Sequence, residues 1–224
     1  MAFGYISGKT SSVLLKTKVN LPLILTLSIL PDTDLLLKKI LPIQHRVATH
    51  SLITALIAFA PFFLLYRKRT LPYFIAYVQH SLVGDFIVGT TQLLWPLSKM
   101  SFGLGLSMYS LTNQSLEWVM FIAAIILMLK MKDYRPFFQP HMTSLILIIP
   151  ALAVLLPTFL QIPMQVPILL VPPHIFYLII FAVALTIEIH ALPAQLTRIY
   201  RSHRQQPLPQ KEKKERAQRT RSKR

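Results

Sequence analysis

Long apolar runs separated by short polar segments fill the first 192 residues of the chain. A helix that crosses roughly 30 Å of hydrocarbon needs about 20 mainly apolar residues. Six stretches meet or approach that requirement: Val19–Leu37, Val47–Tyr66, Leu71–Trp95, Leu116–Leu129, Thr143–Leu160 and Leu169–Leu192. The fourth is short and extends back through Ser110–Ser115. The first is interrupted, because Pro22 and Pro31 bracket its apolar heart and proline removes a backbone donor and clashes with the preceding turn. Leu21–Leu30 alone rises only about 15 Å, so this span is expected to be broken, as membrane helices are where they line a polar cavity. The pattern predicts an all-α polytopic membrane protein of about six transmembrane helices over residues 1–193, followed by a tail over 194–224. Met1–Asn20 has no apolar core of the length a cleavable signal peptide needs, so the first strong apolar run, Leu21–Leu30, is read as part of the mature protein.

Composition sharpens this. Only 14% of residues are charged and 53% are hydrophobic, against about 25% charged in soluble domains. The net charge of +16 would suggest a nucleic-acid partner in a soluble protein. Here eleven of the 24 Lys and Arg lie between Arg198 and Arg224. That segment cannot bury enough apolar surface to fold. It reads as a disordered cytoplasmic tail held near anionic lipid headgroups rather than as a nucleic-acid arm. The absence of cysteine excludes disulfides and thiolate metal sites. With both termini inside, as six spans require, twenty Lys and Arg fall on the inner side and four, Lys38, Lys39, Arg46 and Lys99, on the outer side.

Ionisable groups inside spans are costly and mark function. Nearly all the early ones fall within 19–96. Asp32 and Asp34 end the first span, His45, Arg46 and His50 open the second, and His80 and Asp85 lie in the third. Arg46, Thr49 and His50, spaced i, i+3 and i+4, are expected on one helical face. An antiparallel arrangement of the three spans brings the three Asp and three His to one pocket. Imidazole and carboxylate together suit zinc, manganese or iron(II), and carboxylates lean toward magnesium. Six such groups suit two metals, or one metal with supporting partners. Of the later histidines, only His174 is placed to reach the pocket.

The stretch reads Leu30-Pro31-Asp32-Thr33-Asp34, His45-Arg46-Val47-Ala48-Thr49-His50-Ser51, His80 through Gly84-Asp85, and Leu93-Leu94-Trp95-Pro96. It resembles the YdjM-type inner-membrane family of metal-dependent hydrolases, whose pattern is roughly L-P-D-x-D, H-R-G-x-T-H-S, H-x-x-x-D and L-L-W-P. The likeness covers about the first half of the chain. It implies a membrane-embedded hydrolase, and a more distant likeness to zinc-dependent phospholipases C implies phosphoester chemistry. Carried over residue by residue, Asp32, Asp34, His45, His50, His80 and Asp85 become metal ligands, zinc first. Arg46 becomes the group that binds the substrate anion, and Thr49 an orienting group. The chain departs from the pattern in three ways. No His precedes His45. Val47 replaces the Gly after His-Arg, which argues against a tight turn there. His80 and Asp85 are five residues apart, so they share a face only if a π-bulge near Gly84 realigns them.

The resulting expectation is a metal-dependent membrane hydrolase acting on a phosphoester or phospholipid-like substrate. The rivals are a metal-ion transporter, which would need polar residues deep in the later spans, and an interaction protein that works through its basic tail.

Overall fold

The structure, a computed structural model, describes residues 1–37 and 44–204. Lys38 and Lys39, expected in an outer loop, and the tail beyond Arg204, expected to be disordered, lie outside the described residues. Those described are helical throughout, apart from loops and one isolated bridge between Thr91 and Phe102. The chain divides into two compact units, Met1–Glu188 and Ile189–Arg224. The described part of the second is the C-terminal length of a single helix.

The first apolar stretch, expected as a span, is broken as its prolines require. Asn20 caps α2 (Leu21–Leu27) by accepting from the Leu23 N–H, and Pro22 sits in the first turn, where no backbone bond is lost. Pro31 then ends the regular helix. A 3₁₀ turn over Leu30–Asp32 leads into the short α3 (Thr33–Leu37). The second span begins later than its apolar pattern suggests, at α4 (Leu52–Tyr66), because Ser51 is its N-cap. The third is α5 (Leu71–Gln79), continued by a π-helical turn over His80–Asp85. It stops well short of Trp95, and Gly89 turns the chain at φ +106°. The later spans are α6 (Leu111–Met131), α7 (Ile148–Leu160) behind a 3₁₀ stretch, and α8 (Val171–Arg204).

Among the described residues, three stretches are long and apolar enough to cross a membrane: Leu111–Met131, Met142–Leu160 and Ile168–Thr197. No more than 22% of any of their most apolar windows is buried within the protein. So much exposed apolar side chain needs hydrocarbon around it.

One element was not legible in the hydropathy. Ahead of the first apolar stretch the chain forms α1 (Ala2–Leu14), packed chiefly on α5 and α6, with Tyr5 only 1% exposed. Its small residues permit this. A Cβ on Gly4 would overlap Ser28 Cβ, and one on Gly8 would lie 2.9 Å from Ile24 Cδ1. Gly4→Ala is therefore expected to destabilise the protein by about 1–3 kcal/mol, read as a lowered thermal midpoint in detergent. An unchanged midpoint would show that α1 and α2 are not held this closely.

The helix ends sort into two groups. At one end, the Asn20 backbone N–H donates to Tyr73 Oη and Asn20 Nδ2 donates to Thr143 Oγ1, both at 2.8 Å. The start of α5 and the lead into α7 thus meet the α1–α2 turn. At the other end, Met1, Asp32, His80, Glu117 and His174 line one cavity.

Candidate metal centre

The Asp34–Trp95 segments are held together by backbone and capping bonds that the motif residues supply. Ser51 Oγ accepts from the Ile53 and Thr54 N–H groups and donates to the Trp95 carbonyl at 2.5 Å. The Leu52 N–H donates to the Leu93 carbonyl at 2.9 Å. This ties the end of the His-Arg segment to the Leu93–Pro96 element. The cap also corrects an expectation. With the helix starting at Leu52, His45–His50 is a series of turns, and Arg46, Thr49 and His50 share no helical face. A tight turn does form there, contrary to the reading of Val47, because Arg46 itself takes the left-handed conformation at φ +63°. Its carbonyl accepts from Gln92 N–H (3.1 Å) and Thr91 Oγ1 (3.2 Å). The π-turn over His80–Asp85 resolves the irregular spacing, since an i→i+5 repeat brings residues five apart onto one face.

Four side-chain atoms from three segments close a ring. Asp32 Oδ1 lies 3.1 Å from His80 Nε2 and 3.5 Å from His50 Nε2. Asp85 Oδ2 lies 3.1 Å from His50 Nε2 and 3.6 Å from His80 Nε2. His50 is 1% exposed and Asp85 6%. Despite these distances, His50 Nε2, His80 Nε2 and Asp85 Oδ2 are buried without a hydrogen-bond partner.

The tautomers explain why. His80 Nδ1 faces the Ser28 carbonyl at 3.1 Å, and a carbonyl only accepts, so Nδ1 carries the proton. Thr49 Oγ1 donates to Asp34 Oδ2 at 2.6 Å, so it accepts from His50 Nδ1 at 2.9 Å. In its neutral form each imidazole therefore turns an Nε2 lone pair toward two carboxylate oxygens. Four such acceptors repel one another unless positive charge, a metal ion or protons on Nε2, stands among them. A tetrahedral shell with zinc bonds near 2.0–2.1 Å has ligand separations of about 3.4 Å, inside the observed 3.1–3.6 Å. The donor chemistry suits a divalent ion, and Asp32, His50 and His80 form a group that could hold one, with Asp85 outside that group but 3.1 Å from His50 Nε2.

Asp34, His45 and His50 form a second group of this kind, but its polar atoms are already satisfied. His45 Nδ1 donates to Asp34 Oδ1 at 2.8 Å, and Thr49 fills Oδ2. Asp34 is fully buried and reaches His50 chiefly through Thr49. Arg46 Nε donates to Asp85 Oδ1 at 3.1 Å, which turns Oδ2 into the ring. Gly89 makes room for it, since a Cβ there would overlap Arg46 Nη1.

The family model of the YdjM inner membrane protein matches residues 1–161. The chain belongs to this family. Comparison with curated proteins and with solved structures gives no match. The family match reaches from α1 through α7, further than the motif stretch in which the resemblance is concentrated.

In this YdjM-family chain the ring borders two cavities. One, of about 230 Å³, is lined by His45, Arg46, Asp32, His80 and Asp85. The other, of about 290 Å³, extends from Asp32 and His80 among apolar residues of α7 and α8 and includes His174, as its position suggested. Glu117 lines both and was missed. Its signal was in the sequence: it is the one acidic residue within the apolar run Leu111–Met131.

Proposed function

We propose that the protein is a membrane-bound, metal-dependent hydrolase that cleaves a phosphoester in a phospholipid-like substrate. The observation that carries this reading is the ring of four acceptor atoms of Asp32, His50, His80 and Asp85, three of them buried and unpartnered. These residues hold one divalent ion, with zinc favoured by two imidazoles and two carboxylates. Such an ion acidifies a water and polarises a phosphoryl oxygen.

The chain's own residues do the rest. Thr49 and Asp34 fix the ring of His50, and the Ser28 carbonyl fixes that of His80. Arg46 has given its Nε to Asp85, so it offers the substrate phosphate the Nη1–Nη2 end of its fork. His45, held by Asp34, lines the same cavity. The second cavity, bordered by Asp32 and His80 and lined in part by apolar residues of α7 and α8, receives the lipid part of the substrate.

The six-crossing topology belongs to the same reading. α2–α3, α4, α5 with its π-turn, α6, α7 and α8 are the crossings, and α1 packs among them with Met1 at the site end. Lys16, Lys18, Arg67–Arg69, Lys130, Lys132 and Arg135 lie at the opposite helix ends, and the bias of Lys and Arg toward inner loops supports reading those ends as cytoplasmic.

Metal analysis of purified protein is the test. One equivalent of zinc per chain, retained through gel filtration and removed by a chelator together with phosphodiesterase activity, is expected. Protein that takes up no divalent metal under any loading condition would end the hydrolase reading in favour of an interaction protein.

A further inference from the structure

At the end away from the ring, a cavity of about 680 Å³ lies between the end of α1, the start of α2 and the end of α6. Lys9, Lys16 and Lys18 line it, with Thr17 and Met131. Lys9 is already paired: its Nζ lies 2.7 Å from Asp133 Oδ1, and Tyr5 Oη donates to the other oxygen of that carboxylate at 2.8 Å. Asp133 is thus occupied. Lys16 and Lys18 are exposed and have no ion pair among the described residues.

The backbone makes the placement of Lys16 informative. Thr17 N–H donates to the Ser12 carbonyl and Lys16 N–H to the Val13 carbonyl, the paired bonds of a Schellman C-cap. Its left-handed residue, at φ +51°, is Lys16, where glycine is the favoured choice. The chain tolerates a strained lysine where a glycine would relax the turn, and so puts an ammonium at the cavity mouth. Next to it, Thr17 also lines the cavity, and its Oγ1 is buried with no hydrogen-bond partner.

The rim is apolar. Val13 is 53% exposed, Leu14 76% and Met131 43%, and Met131 ends one of the three membrane-length helices found among the described residues. Uncompensated cations, an unused hydroxyl and an apolar margin at the end of such a helix describe one occupant. We propose that this cavity binds the phosphate of an anionic phospholipid headgroup, with the acyl chains lying over Val13 and Leu14. The site is separate from the metal ring and does not depend on it.

Native mass spectrometry of the full-length protein in detergent, titrated with dioleoylphosphatidylglycerol or dioleoylphosphatidylcholine, tests the proposal. Lys16→Gly suits the left-handed backbone and so removes the ammonium without harming the turn. Combined with Lys18→Gln, it is expected to cut the preference for phosphatidylglycerol by about tenfold or more, with the thermal midpoint and metal content unchanged. Lys213→Gln with Lys214→Gln removes the same charge from the tail and is expected to leave the preference intact. Excess inorganic phosphate is expected not to displace the lipid. A wild-type protein without preference, equal losses in the two double variants, or displacement by free phosphate would each overturn the assignment, the last in favour of a soluble-phosphate site.

Discussion

His50→Ala and His80→Ala are each expected to empty the metal centre and abolish hydrolysis together. Both histidines present Nε2 to the ring with no other partner, and each has its opposite nitrogen tied down. Losing either leaves too few ligands to hold the ion against a chelator. The effect should stand apart from that of the supporting residues. Thr49→Val and Asp34→Asn disturb only the orientation of His50, and losses of outer partners typically cost about 10–100-fold in metal affinity or activity. Metal content after gel filtration separates the two groups. His50→Asn and His80→Asn serve as controls of similar volume, since alanine also opens a hole at a buried position. Metal retained at one equivalent in either alanine variant would remove that histidine from the centre.

Much of this centre could be read from residues alone, because the membrane environment makes charge scarce. In a chain with eight acidic residues, three acids and three histidines falling within 19–96 stand out against the apolar background. Spacing made a π-turn the condition for His80 and Asp85 to share a face, since five residues on an α-helix do not, and the chain has that turn. What spacing could not reveal was the division of labour. That Asp34 is saturated by His45 and Thr49 while Asp85 keeps a bare oxygen depends on side-chain directions fixed by the turns of 45–50, not by a helix. The helical face assigned to Arg46, Thr49 and His50 failed for one local reason: the serine after His50 is an N-cap. α1 escaped notice because Lys9, Ser7, Ser11 and Ser12 dilute its hydropathy. Its burial rests on Gly4 and Gly8, which hydropathy does not weigh.

Asp85 is where the ring and its support meet, and Asp85→Asn is expected to have the largest effect of any isosteric change. One oxygen, Oδ1, accepts from Arg46 Nε, and the other points bare at His50 Nε2 from 3.1 Å. Asparagine keeps the shape but removes the charge. It also presents either an amide N–H to the ring or one to the guanidinium, and both are wrong. If Asp85 binds the ion, metal affinity measured by chelator competition should fall by more than the roughly 100-fold ceiling of supporting residues. Arg46→Lys provides the contrast. Lysine keeps a positive charge beside Asp85 but loses the planar fork. Metal affinity should then change by no more than about tenfold to 100-fold, while kcat/KM on an anionic phosphodiester falls further. Similar metal losses in Asp85→Asn, Arg46→Lys and Thr49→Val would reduce Asp85 to an anchor for Arg46 and leave Asp32, His50 and His80 to hold the ion alone.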